Sequence, residues 1–143
     1  MTENKHLLHK ASIPVRWGDM DSYGHVNNTL YLQYLEEARV AWFECAGISL
    51  NSGTIAPVVL QTLHTYLKPV THPATVKIEL FLGAIGRSSL VLEHRLTTLE
   101  APEITYGEGH CKLVWVDHAH NTSVPLPEHL RNQLSALSAG AAT

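Results

Sequence analysis

One segment changes the period of the chain and thereby restricts its fold. From about Asn28 to Ala46 the apolar residues recur at helical spacing. Leu30, Tyr31, Tyr34, Leu35, Ala38, Ala41, Trp42 and Cys45 fill one wide arc, and Thr29, Gln33, Glu36, Glu37 and Glu44 a narrow opposite sector. So broad an arc predicts a helix largely wrapped by other elements, because a helix resting on a surface needs only a stripe. Gly47 follows as a C-terminal stop.

The long segments around this helix read as strands. "KASIPVRW" ends at the Gly18-Asp19 turn signal, and "VVLQTLHTYLKPV" is a β-rich run closed by Pro69 and the "THP" turn. Val76, Ile78, Leu80 and Leu82 share one face of "TVKIELFLGAIG", and Leu90, Leu92 and Leu96 one face of "SSLVLEHRLTT". A hairpin at the intervening "GR" joins these two runs. "YGEGHCKLVWV" alternates through Cys111, Leu113 and Trp115. "PEHLRNQLSAL" predicts a short last helix with Pro127 at its start, before a tail frayed after about residue 138. Antiparallel strands that must hide one all-round apolar helix do so by curling around it. The expectation is a single α+β domain over residues 1–143: a curved antiparallel sheet of about five strands around one long central helix. Its open edge strand and incompletely polar outer face favour a homodimer or homotetramer.

Composition narrows the function. At 143 residues the chain can bury a real core in one domain, and 45% hydrophobic with 16% charged residues excludes disorder. A net charge of −3 without a basic block gives nucleic acid no electrostatic purchase. Cys45 and Cys111 fall within apolar patterns and read as buried free thiols, which favours a reducing compartment. The N-terminal "MTENKHLLHK" has no apolar core of signal-peptide length, and no segment approaches a membrane span. A cytoplasmic location without membrane or nucleic-acid partners is expected.

The unusual feature is "RWGDMDSYGHVNNTLYLQYLEEAR", Arg16 to Arg39, where two aspartates, a histidine and two asparagines crowd just before the buried helix. This stretch closely resembles the signature of hotdog-fold acyl-CoA thioesterases of the 4-hydroxybenzoyl-CoA thioesterase family: D-x-D-x-x-G-H-V-N-N, then Y-x-x-Y-x-E-x-A-R on the central helix. "TYLKPV", "IGRSS" and "PLPEHLR" extend the likeness more loosely to about residue 130. The resemblance implies a catalytic carboxylate at Asp21 and a carbonyl-polarising backbone N–H at Asn28. Plant acyl-carrier-protein thioesterases carry a similar run in which the residues matching Asp21 and His25 matter, but they place an asparagine where this chain has Tyr23. The hydroxybenzoyl-specific enzymes have apolar and aromatic residues in place of His25, Asn27 and Asn28, so a hydroxybenzoyl substrate is not implied.

The residue types suit this chemistry. A thiolate leaves readily, so hydrolysis needs chiefly an activated water or nucleophile and stabilisation of the carbonyl oxygen. A helix start offers N–H groups without intrahelical acceptors and a partial positive charge. Asp21 can act as general base or as nucleophile, with His25 orienting it or the water. Asp19 reads as structural, pairing with Arg16 or capping the turn, and Asn27 and Asn28 are also plausible caps. Glu36 and Glu37 read as a polar face with Arg39 nearby as a pair, Glu36 being a reserve catalytic carboxylate. Substrate contacts are expected from Asn27, Tyr31, Tyr66, Lys68, Arg87 and Ser88, the cations and hydroxyls serving the phosphates of CoA. Leu60, Leu63, Tyr66 and Phe81 are possible acyl liners. Ten histidines raise the question of a metal, but the best cluster, Asp117 to His120, sits just past a strand in a turn, and no cofactor is expected. An acyl-carrier-protein thioesterase and a hotdog enoyl-CoA hydratase or dehydratase are the alternative activities.

Overall fold

A computed structural model describes residues 5–50 and 53–141, with side chains to Ser138 in the last helix. Asn51 and Ser52 in the loop after the long helix, and Ala142 and Thr143 in the expected frayed tail, lie outside the described residues. The order is β1 (His6–Pro14), α1 (Asn28–Cys45), β2 (Ile55–Tyr66), β3 (Thr75–Ile85), β4 (Ser89–Thr98), β5 (Gly107–Asp117), β6 (Thr122–Ser123) and α2 (Glu128–Ala141). Five strands form one antiparallel sheet in the order β1-β3-β4-β5-β2, and β6 pairs with β5. This is the expected α+β architecture, with one added strand too short to leave a pattern.

Strand alternation builds the core as expected. Val76, Ile78, Leu80, Leu82, Leu90, Leu92, Leu96, Cys111, Leu113 and Trp115 are all buried, packed with Tyr31, Tyr34, Leu35, Ala38, Trp42 and Phe43 of α1. Burial of this kind is worth about 1.5–3 kcal/mol per large apolar side chain. Leu126, Leu130 and Leu134 close the core from the C-terminal side. The Arg131 guanidinium ties α2 to the β3–β4 turn by donating to the Gly86 and Arg87 carbonyls at 2.7 and 2.8 Å.

Several boundaries and faces differ from the expectation. β1 starts earlier and stops at Pro14, because the backbone turns into a short 3-10 segment at Trp17–Asp19, where the Asp19 carboxylate accepts the Arg16 amide. β2 ends at Tyr66, where the Leu67 and Lys68 amides both donate to the Tyr106 carbonyl and so leave the regular ladder ahead of Pro69. α2 is longer than expected and continues to Ala141. Cys45 is exposed, not buried, since it borders a surface groove between β1, α1 and α2. Cys111 is buried. Arg39 is buried on α1 and does not share the solvated face of Glu36 and Glu37.

The two edges of the sheet are β1 and β2. On β2 and just beyond it Ile55, Val59, Leu60, Leu63 and Leu67 are exposed, Leu60 at 63%. At the other side of β2, the ladder to β5 depends on Gly109. A Cβ built there would lie 1.9 Å from the Leu63 carbonyl oxygen, a backbone atom that cannot swing aside. Gly109→Ala is therefore expected to destabilise the protein by more than about 2 kcal/mol, measured as a lower urea midpoint. An unchanged midpoint would refute this close approach.

Candidate active site

The site is assembled at the junction between β1 and α1. Met20 and Val26 form an isolated antiparallel bridge, and between them the chain makes a tight turn. The Gly24 amide donates to the Asp21 carbonyl at 3.0 Å, and the Asp21 amide to the His25 carbonyl at 2.8 Å. Gly24 has φ +78°, a conformation that a side chain would strain. Within this turn the Asp21 carboxylate accepts the Tyr23 amide at 2.9 Å, which fixes its direction.

Asp19 anchors the turn from below. It is 4% exposed and accepts the Tyr34 hydroxyl at 2.7 Å, the Arg16 amide at 3.0 Å and the Arg16 guanidinium at 3.0 Å. Burial alone would raise its pKa, but these donors outweigh it and hold the carboxyl below its usual value. Its carbonyl also accepts the Asn27 amide at 2.9 Å. Asn27 in turn caps α1, its Oδ1 accepting the Thr29 amide at 2.9 Å and hydroxyl at 2.7 Å. Asn28 is the first helical residue, so its amide belongs to the set that a helix leaves without intrahelical acceptors.

An open cavity of about 370 Å³ joins these groups. Asp21, His25, Val26, Asn28, Tyr31, Tyr66, Leu67, Lys68 and Pro69 line it. The Tyr66 hydroxyl donates to the Asn28 carbonyl at 2.9 Å, and the Tyr31 hydroxyl accepts the Val70 amide at 3.0 Å. The structure thus gathers six of the expected residues: Asp21, His25, Asn28, Tyr31, Tyr66 and Lys68. Asn27 serves as the cap and does not line the cavity. Glu36 borders a different cavity, against β1, with Gln33, Tyr34 and Glu37.

Other expected contacts lie elsewhere in the protomer. Ser89, next to Arg87 and Ser88, pairs with Val114, whereas Tyr66 pairs with Gly107. The seven-residue offset along β5 puts the two ends about 23 Å apart. Of the other possible acyl liners, Leu60 and Leu63 are exposed on the edge strand, and Phe81 is buried with the Lys5 ammonium over its ring. Side-chain direction from a strand, with its register shifts at bulges, decides these positions. At the "DHAH" segment, Asp117 accepts the Ala119 amide at 2.9 Å and pairs with His120 at 2.8 Å. Among the described residues no group of three His, Cys, Asp or Glu side chains could hold a metal ion. No described helix is long and apolar enough to cross a membrane.

Behind the cavity stands a histidine pair that motif reasoning missed. His64 on β2 and His94 on β4 reach across Gly109 of β5, with His64 Nδ1 and His94 Nε2 at 2.8 Å. His94 follows Leu90 and Leu92 at every second residue, so strand alternation alone already placed it inward. The His64 Nε2 is buried without a hydrogen-bond partner among the described residues, at a cost of about 1–3 kcal/mol. Burial lowers both pKa values. For His94, where the neighbouring His64 and the charges of Arg39, His110 and Lys5 add to burial, the value falls to about 3.

This geometry belongs to a known class. A family model described as the thioesterase-like superfamily matches residues 15–134. The chain belongs to that superfamily, and its class of reaction is thioester hydrolysis. It is similar to the solved structure of the PA2801 protein of Pseudomonas aeruginosa, a thioesterase candidate. The identity is 71%, covering 90% of this chain and 99% of that one, with a TM-score of 0.87. It is 28% identical to the long-chain acyl-CoA thioesterase FadM of Escherichia coli (strain K12), over 90% of this chain and 98% of FadM. A 30% identical match to the uncharacterized protein YsmA of Bacillus subtilis (strain 168) spans 62% of this chain and 60% of that protein.

The histidine pair makes stability depend on pH. An unfolded histidine takes a proton near pH 6.5, whereas folded His94 resists one down to about pH 3. The unfolded state therefore binds more protons in that window, and stability falls as pH drops through it. From pH 7 to pH 5 His94 accounts for a loss of about 2 kcal/mol. His94→Leu should remove that part of the slope in urea unfolding measured at both pH values. An unchanged slope would contradict a buried neutral His94.

Proposed function

We propose that this protein hydrolyses an acyl-CoA thioester to the free carboxylic acid and CoA. The observation that carries this reading is the shared cavity: a directed carboxylate, Asp21, and the first turn of α1 at Asn28 face the same space. Asp21 activates water as general base or attacks the carbonyl carbon itself. The Asn28 amide donates a hydrogen bond to the developing oxyanion, aided by the helix dipole. The name of FadM supports acyl-CoA as the substrate class. The exposed apolar β2 edge supports assembly as at least a dimer.

Removing the carboxylate tests the chemistry. Asp21→Asn keeps shape and hydrogen bonding, so kcat for acyl-CoA should fall by about two orders of magnitude or more while KM moves far less. Asp19→Asn should act mainly on stability, and both variants need a thermal melt beside the assay. If a folded Asp21→Asn protein works near the parent rate, the assignment fails, and Glu36→Gln is tested next. The assay reads free thiol over a panel of acyl-CoAs. Absorbance change without thiol release would indicate a hydratase or dehydratase instead.

Dimerisation also accounts for Arg87 and Ser88. When two β2 strands pair antiparallel, the Tyr66 end of one lies beside the Ile55 end of the other. Ile55 pairs with Asp117 at the Arg87 end of the sheet. Arg87 of the partner subunit then approaches the Lys68 side of the cavity, where the CoA phosphates need cations. Arg87→Ala should raise KM about tenfold with little change in kcat, in a species that sediments as a dimer or larger. A monomeric active parent, or an unchanged KM, would remove this composite site.

A further inference from the structure

We propose that the imidazole of His64, held in place by His94, is the inner wall that limits the length of the acyl group. The inference rests on the thioesterase reading and names the residue that sets specificity within it. Tyr31 and Tyr66 line the cavity and meet edge to face, with ring centroids 5.1 Å apart. Directly behind them, His64 stacks on Tyr31 at 5.6 Å and 28° and meets Tyr66 edge-on at 4.7 Å. His94 continues the stack at 5.1 Å and 19°. Four rings therefore form a continuous partition between the cavity and the inner face of the sheet.

The partition occupies space that the sheet leaves for it. At Gly107 a Cβ would lie 2.5 Å from both Cε1 and Nε2 of His64. With a bare backbone behind it and tyrosine rings before it, the His64 ring fills a gap in the β5 surface. The hydrogen bond to His94 fixes its orientation about the side-chain torsions. An acyl chain entering past Asp21 and Asn28 meets the apolar tyrosine faces first and then this filled gap. His64 sets how deep the two tyrosine rings stand and so acts on the end of a long acyl chain through them, as a positioning residue that His94 holds in turn.

The length dependence of turnover tests this. Free-thiol release is measured for saturated acyl-CoAs from acetyl to palmitoyl with the parent, His64→Ala, His64→Phe and His94→Leu proteins, each checked by thermal melting. His64→Ala should move the cut-off to longer chains, raising kcat/KM just beyond the parent cut-off about tenfold or more relative to that at the parent optimum. His64→Phe, which restores a ring, should keep the cut-off. His94→Leu should blur the cut-off without moving it. A folded His64→Ala protein that loses activity in proportion at every length would overturn the proposal. A His64→Phe profile shifted like that of His64→Ala would do the same, by making polarity and not bulk the determinant. If His64→Ala does not fold, His64→Val is read in the same way. If the parent hydrolyses no acyl-CoA, the thioesterase reading fails, and binding of S-alkyl-CoA thioethers of graded length still reports whether the wall exists.

Discussion

The buried carboxylate of Asp19 is the contact on which the site depends. It draws together three donors from two residues: the amide and guanidinium of Arg16 after β1, and the hydroxyl of Tyr34 two turns into α1. A buried charge is costly unless its hydrogen-bonding capacity is met, and here it is met from both flanking elements. The carbonyl of the same residue takes the Asn27 amide, so the helix cap is registered against the same point. The turn carrying Asp21 has little freedom left once its base is tied to the strand on one side and the helix on the other.

That arrangement explains why so many polar groups crowd into one short stretch. Each has a separate task within hydrogen-bonding reach of its neighbours. Asp19 ties the elements together, Asn27 caps the helix, Gly24 allows the turn to reverse, and Asp21 is aimed by the Tyr23 amide. None of these tasks consumes the helix's first amide at Asn28 as an intrahelical donor. A carboxylate and a helix N-terminus are consequently presented to one cavity, the minimal equipment for hydrolysing an ester of a good leaving group.

The sheet imposes a second constraint from behind. On its inner face β5 carries glycines at positions 107 and 109, and His64 and His94 meet over that gap. Two neutral imidazoles bonded to one another suit such a place, since each satisfies part of the other's hydrogen-bonding capacity. The same glycines bring β2 close to β5 while its other edge stays open and apolar. Tyr66 of the cavity, His64 behind it and the exposed apolar edge therefore lie on neighbouring parts of one strand, β2.

The long helix, the strands and the inward faces of β3, β4 and β5 were legible in the sequence, because periods of 3.6 and 2 are imposed locally by backbone geometry. The crowded junction was legible as a candidate site for a similar reason: its residues are neighbours in the chain as well as in space. Alternation also carried His94 inward, although no motif pointed to it. What local order could not decide was distance between segments far apart in sequence. The meeting of His64 with His94 and the placing of Arg87 and Ser88 at the opposite end of the sheet from Tyr66 follow from strand order and register, and the exposure of Cys45 from how β1 and α2 pack beside α1. Those are set by the packing of the whole core, and a single residue's pattern contains no record of which strand will lie beside it.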